Sequence, residues 1–217
     1  MNFIKRHFNN KFFKQKGPSA FKKAYEAISK SKVYEQYCQR VHGQETKMLN
    51  TMALDQYQLL VERINELSPK TMLDLGCGNG ELTKQISKEL SIKSIGIDFS
   101  FMGKDVKGTQ FKQIDTEHFK LEKKFDLVIE QTFFCALQPN QRKDYVKKMA
   151  EVIKPGGKLA GVLFDFPLTE QGPPFGGSQE EFGKLFKPYF TITKMERCYN
   201  SIKPRMGNEL FFELIKP

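Results

Sequence analysis

Nine residues constrain this chain more than any others: Met72-Leu73-Asp74-Leu75-Gly76-Cys77-Gly78-Asn79-Gly80. An apolar run that reaches an acid and then breaks into alternating glycines reads as a buried strand ending in a turn. Glu81-Leu82-Thr83-Lys84-Gln85-Ile86 follows with helical character. Glycine lets backbone approach a ligand closely and adopt dihedrals that other residues avoid. A helix start adds unpaired N–H groups. Strand, bare turn and helix start together make a nucleotide-type site.

The spacing narrows the ligand. A dinucleotide turn needs Gly-x-Gly-x-x-Gly, with pyrophosphate on the helix start. Here the order is Gly-x-Gly-x-Gly, and Glu81 beside it would repel a pyrophosphate. The pattern suits a nucleoside ligand without phosphates, such as S-adenosylmethionine. A second strand, Ile92 to Ile97, ends in Asp98. An acid about twenty residues beyond such a turn is where ribose hydroxyls are held.

The remaining chain alternates strand and helix. Phe111 to Ile114 reads as a third strand ending at Asp115, and Phe125 to Glu130 as a fourth. Pro139 opens a helix to about Ile153. Lys154-Pro155-Gly156-Gly157 is expected to turn into a fifth strand, Leu159 to Phe164. Pro167 to Gly177 is a loop, and 178–187 a helix capped by Ser178 with Glu181 at the capping-box position. Phe190–Arg197 and Glu209–Ile215 are the last strands. This alternation predicts an α/β, Rossmann-like, doubly wound and mainly parallel sheet of seven strands. Ahead of it, 20–42 and 50–67 look helical, the second with Leu59, Leu60, Ile64 and Leu67 on its apolar period. The expected organisation is an N-terminal basic helical extension and lid, 1–67, and a ligand-binding domain, 68–217.

The strand, Asp74, the glycine turn and Asp98 resemble the first motif and the following acid of the class I methyltransferases that use S-adenosylmethionine. From about Phe125 onward the chain also resembles the thiopurine S-methyltransferase family, including its thiol and halide branches. The matching pieces are Thr132-Phe133-Phe134-Cys135-Ala136-Leu137, Lys154-Pro155-Gly156-Gly157 with Leu159, Gly172-Pro173-Pro174-Phe175, and Ser201-Ile202-Lys203-Pro204-Arg205. The first half departs from that family, whose tryptophan-rich N-terminal segment has no counterpart in a chain without Trp.

The resemblance implies an S-adenosylmethionine-dependent methyltransferase, with S-adenosylhomocysteine as product, acting on a small thiol or a halide. The implied cofactor-binding residues are Asp74, Gly76, Cys77, Gly78, Gly80, Asp98, Phe99, Asp115 and Gln131. Asp74 orients the methionine end through its amino group. Two roles stay open for Asp115: partner of the adenine amine, or cap of the turn after it. Gln131, Thr132 and Phe133 end the fourth strand and position the reacting groups. Tyr34, Tyr37, Phe175 and Arg205 are acceptor-side candidates; His42 and Tyr57 share the segment that lids such sites. Core packing for the tyrosines, and a structural ion pair for Arg205, are the competing roles. The Asn/Asp-Pro-Pro-aromatic signature of enzymes that methylate base amines is absent after the fourth strand.

Methyl transfer from a sulfonium needs alignment and exclusion of water rather than a covalent nucleophile. That agrees with the absence of a His or Cys constellation. Cys77 and Cys135 read as buried small residues. The four cysteines include no Cys-x-x-Cys pair, so neither metal nor disulfide framework is expected, and a cytoplasmic setting is. Net charge is +10, and 1–25 contains seven Lys and Arg before the first acid, Glu26. Phe3, Ile4, Phe8, Phe12 and Phe13 sit among them, so this stretch either packs over the domain or docks on nucleic acid or an anionic membrane. No apolar run has the length of a membrane span. Two rival functions follow: an RNA or protein methyltransferase docking through 1–23, and a non-catalytic protein that binds S-adenosylmethionine.

Overall fold

The structure is a computed structural model and describes residues 27, 30–42, 52, 54–98, 105–113, 121, 124–170 and 174–217. The basic stretch 1–23, Phe99 and Asp115 lie outside the described residues. Seven strands form one sheet in the order β3-β2-β1-β4-β5-β7-β6. The strands are β1 (Thr71–Leu75), β2 (Lys93–Asp98), β3 (Thr109–Gln113), β4 (Phe125–Gln131), β5 (Ile153–Phe164), β6 (Thr191–Arg197) and β7 (Glu209–Ile215). β2–β3, β1–β4 and β4–β5 are parallel, while β7 runs antiparallel to both β5 and β6. This is the mainly parallel α/β architecture read from the sequence.

The chain divides into two compact units, Met1–Ser68 with Gly76–Lys120, and Pro69–Leu75 with Leu121–Pro217. In the first, α1 (Lys32–His42) and α2 (Leu54–Leu67) precede the glycine turn, and α3 (Glu81–Leu90) follows it. α3 buries Leu82, Thr83, Ile86 and Ser87, a stripe recurring every turn. On α2 the buried face is Tyr57, Val61 and Ile64; of the expected Leu59, Leu60, Ile64 and Leu67, Ile64 is buried and the three leucines are half-buried. The Tyr57 hydroxyl donates to Glu89 of α3 at 2.8 Å, which fixes that rotation.

In the second unit β1 and β4 are almost wholly buried, as parallel strands covered on both faces must be. α4 (Arg142–Val152) follows a short 3-10 turn, Pro139–Gln141, and buries Arg142, Tyr145, Val146, Met149 and Val152 at helical spacing. α5 (Gln179–Phe186) is capped by Ser178, whose Oγ accepts the Glu181 N–H. An aromatic core joins these helices to the sheet. Phe134 packs on Tyr145, Phe182 and Phe186 with centroids 5.3–5.9 Å apart, and Phe186 stacks on Phe212.

Two expected boundaries shift. The third strand starts at Thr109 rather than Phe111, because β2 takes Thr109 into register opposite Ser94; its expected end, Ile114, lies outside the described residues. Lys154-Pro155-Gly156-Gly157 is not a turn ahead of β5 but a bulged first half of it. Gly156 has φ 74°, which glycine tolerates, and its N–H donates to Lys216. The Lys216 N–H returns a bond to Gly157.

Candidate active site

All three glycines of the turn are left-handed: Gly76 at φ 81°, Gly78 at 57° and Gly80 at 76°. This explains their alternation, since a Cβ at any of the three would be strained. The N–H groups of Gly76 and Cys77 both donate to Ile97. The Gly78 N–H donates to Oδ2 of Asp98 at 3.0 Å. Asp98 is buried, so the acid at the end of β2 is built into the turn. Gly80 caps α3, and the N–H of Glu81, the first residue of the helix, donates to Asn79 Oδ1 at 3.4 Å. Glu81 pairs with Lys84 at 2.8 Å. Cys77 is buried behind the turn, in the small space that Gly96 leaves open.

In the other unit each of two neighbouring strands buries a carboxyl near its end. Asp74 of β1 and Glu130 of β4 are each 1% exposed. Glu130 Oε1 accepts the N–H groups of Phe133 at 2.6 Å and Phe134 at 2.8 Å. Its Oε2 has no hydrogen-bond partner among the described residues. Burial pushes the Glu130 carboxyl up to about 7; the two N–H bonds oppose that rise and the nearby Asp74 adds to it. Between β4 and a second 3-10 turn, Phe134–Ala136, Thr132 is held at φ 64°, a region that a β-branched residue avoids. Backbone strain of this kind collects at functional sites.

The segment after β4 is clamped to the 174–177 loop. The Phe175 N–H donates to the Cys135 carbonyl at 2.7 Å, and Phe175 is buried. Arg142 is buried with its guanidinium 5.0 Å from the Phe134 ring centre. It donates to Gly176 O at 2.7 Å and pairs with Glu181 at 2.9 Å. Burial, then the charge of Glu130, pushes the Cys135 thiol up to about 12, so it is no thiolate. Its Sγ lies 3.0 Å from the Thr132 carbonyl.

The structure thus ties the glycine turn to Asp98 through Gly78, and buries Asp74 and Glu130 at the ends of β1 and β4. Gln131 and Phe133 are half-buried beside the strained Thr132. Arg205 pairs with buried Glu209 at 3.2 Å and lies over Phe164, the structural role left open for it. Tyr34 is half-buried on α1, and the Tyr37 side chain lies outside what is described. Sequence reasoning missed Glu130 and Arg142. An acid closing an otherwise apolar strand was a visible signal for Glu130. Nothing in the sequence separates Arg142 from the other basic residues. Among the described residues no carboxylate, His or Cys cluster could hold a metal ion.

The family profile of thiopurine S-methyltransferase matches residues 99–212, more than half of the chain. The chain belongs to the thiopurine S-methyltransferase family. Among its relatives is a probable thiol methyltransferase of Arabidopsis thaliana, 28% identical over 145 residues, which cover 62% of this chain and 64% of that protein. A thiocyanate methyltransferase of the same plant is also 28% identical, over 148 residues and the same shares of both chains. The chain therefore spans under two thirds of these plant relatives. Among solved structures, the N-methyltransferase NodS of Bradyrhizobium japonicum WM9, in complex with S-adenosylhomocysteine, superposes with TM-score 0.63. It is 13% identical, with 91% of this chain and 98% of that chain covered. At that identity the likeness is one of fold.

Proposed function

We propose that this family member is an S-adenosylmethionine-dependent methyltransferase that transfers the methyl group to a small thiol or to a thiocyanate- or halide-like anion. The observation that carries this reading is the glycine turn bonded to Asp98, in a chain whose second half fits the family profile. The residues present suit the donor. The left-handed turn leaves bare backbone for a nucleoside, and the buried Asp98 supplies a carboxylate for ribose hydroxyls. The buried Asp74 and the partnerless Oε2 of Glu130 suit a cationic amino-acid end.

The donor, when bound, supplies a methyl group already activated on a sulfonium. The protein's part is placement. Gly76, Cys77, Gly78, Gly80 and Asp98 hold the nucleoside, with Phe99 and Asp115 proposed beside them from sequence. Asp74 holds the methionine end, and Gln131, Thr132 and Phe133 border the reacting atoms. Alignment of this kind contributes several kcal/mol, up to about 7–11, to the barrier. The acceptor must arrive anionic or readily ionised, since Cys135 is protonated. Tyr34, Tyr37 and Phe175 remain candidate acceptor contacts, while Arg205 is engaged by Glu209. A cytoplasmic setting belongs to the same reading. No helix of the described residues is long and apolar enough to cross a membrane.

The test is turnover of S-adenosylmethionine to S-adenosylhomocysteine against thiols, thiocyanate, iodide, small amines and RNA, with wild type beside Asp98→Ala. Turnover with thiols or anions, lost in the variant, is expected. Turnover with RNA alone, or donor binding without turnover on any acceptor, would overturn the reading.

A further inference from the structure

Glu130 is fixed more firmly than its place at a strand end requires. It stands opposite Leu75 of β1 and Gly161 of β5, so the middle of the sheet holds its backbone from both sides. Gly161 lets β5 come close, since a Cβ there would meet the Glu130 carbonyl oxygen. From this anchored strand, Oε1 of the buried side chain accepts the N–H of Phe133 at 2.6 Å and of Phe134 at 2.8 Å. Those residues follow Thr132, whose φ of 64° is unfavourable for a β-branched side chain. Such a conformation persists only where its surroundings over-determine it. The two bonds to Glu130 supply part of that constraint. The rest comes from the segment itself. The Cys135 thiol lies 3.0 Å from the Thr132 carbonyl, and the N–H groups of Ala136 and Leu137 donate to Phe133 and Phe134 at 2.9 and 3.0 Å.

The same segment holds the 174–177 loop. The Phe175 N–H donates to the Cys135 carbonyl at 2.7 Å. Arg142 lies 5.0 Å from the centre of the Phe134 ring and donates to Gly176 O at 2.7 Å. Both ties begin at Phe134 or its neighbour, directly beyond the bonds to Glu130. Strand end, carboxyl, strained turn and loop are thus connected in series within one unit of the chain. We propose that Glu130 is the positioning residue of the acceptor side: through Oε1 it fixes Thr132 and Phe133 at the reacting atoms and, through the Cys135 carbonyl, sets the place of Phe175. This rests on the methyltransferase reading above. It adds a residue that acts through its neighbours rather than by touching the acceptor. A carboxyl oxygen suits the task because its lone pairs take two N–H groups at once. Oε2 keeps the donor-side role already given to it.

The test compares Glu130→Gln with Glu130→Ala in the full chain. Both lose the charge, so any donor-side loss is common to the two. Only glutamine keeps an oxygen where Oε1 stands. With S-adenosylmethionine saturating, kcat/KM for thiocyanate or a small thiol is expected to be about ten- to a hundredfold lower in Glu130→Ala than in Glu130→Gln. Affinity for S-adenosylhomocysteine should agree between the two variants within about threefold. Equal kcat/KM in the two variants overturns the proposal and leaves the donor reading standing. Absence of turnover by wild type on any acceptor overturns both. Native-state hydrogen exchange on the wild type needs no variant. The Phe133, Phe134 and Phe175 amides are expected to open as one unit, with protection within about tenfold of one another. Exchange at Phe175 faster than that overturns the proposal, so a failure of Glu130→Ala to fold does not shield it.

Discussion

The Gly78 N–H donates to Asp98 Oδ2 across 3.0 Å, so the turn that ends the first motif and the acid that ends β2 are one hydrogen-bonded object. Asp98 therefore does two jobs in the proposed site: it shapes the turn and it presents a carboxylate. Asp98→Ala should lower affinity for S-adenosylhomocysteine by about ten- to a hundredfold, the range for hydrogen bonds to a charged group. Calorimetry would show it. Asp98→Asn, which can still accept the Gly78 N–H, should lie between the two.

Glu130→Gln should make the ligand-free protein more stable, not less. The folded carboxyl is raised to about 7 from the ordinary carboxylate range. A raised acid binds more protons folded than unfolded, so its ionisation costs stability as pH climbs from about 4.5 to 7, and the cost persists above. The variant should gain roughly 1–3 kcal/mol at pH 8 and nothing at pH 4. Thermal unfolding at the two pH values decides it. A loss at pH 8 would mean that the Glu130 charge is already compensated.

Asp126 should behave in the opposite sense. Burial pushes its carboxyl up, but Lys154 at 2.7 Å and the hydroxyl and N–H of Thr71, both at 2.8 Å, outweigh that and hold it low. A lowered acid adds stability above its unfolded pKa and loses it as pH falls through the folded value. Asp126→Asn should cost about 1 kcal/mol near pH 7. The gap from wild type should close on acidification towards pH 3.

Gly161 should tolerate no side chain. A Cβ there would sit 1.8 Å from the Glu130 carbonyl oxygen, which is backbone and cannot swing away. Gly161→Ala must push β5 off β4, at a cost of about 1–3 kcal/mol or more. Denaturant unfolding would read this directly. Gly183→Ala, where nothing lies within 4 Å, is the control and should be neutral or slightly stabilising.

Arg142 should matter for stability before activity. It joins α4, α5 and the 174–177 loop through Glu181 and Gly176. Arg142→Ala leaves those acceptors unsatisfied and empties the space beside Phe134 and Phe182, at about 3–5 kcal/mol. Hydrogen exchange should show faster turnover of the Phe175 and Gly177 amides, whose acceptors are Cys135 and Phe166.

The parallel sheet, the ligand turn and its acid were legible because they rest on local rules. Apolar runs of strand length, glycines at alternate positions and an acid closing β2 each carry their own stereochemical meaning. β7 was legible to its end residues, Glu209 and Ile215, since Gly207 punctuates the chain just before it and the stretch is apolar at its core. The bulged start of β5 was not, because Pro155-Gly156-Gly157 reads locally as a turn. Only pairing with Lys216 at the far end of the chain makes that stretch part of the strand. The buried face of α2 escaped for the same reason: several apolar stripes fit its period, and contact with α3 selected one.

What the amino-acid order determined alone is therefore the class of fold, the sequence of its elements and the chemistry of the turn, all set by neighbours within a few residues. Tertiary structure alone decided that Asp74 and Glu130 are both buried and that, among the described residues, one Glu130 oxygen has no partner and Arg142 is the buried cation. Those facts depend on which strand ends meet and how far water is excluded, and dielectric surroundings are not written in any single stretch of sequence.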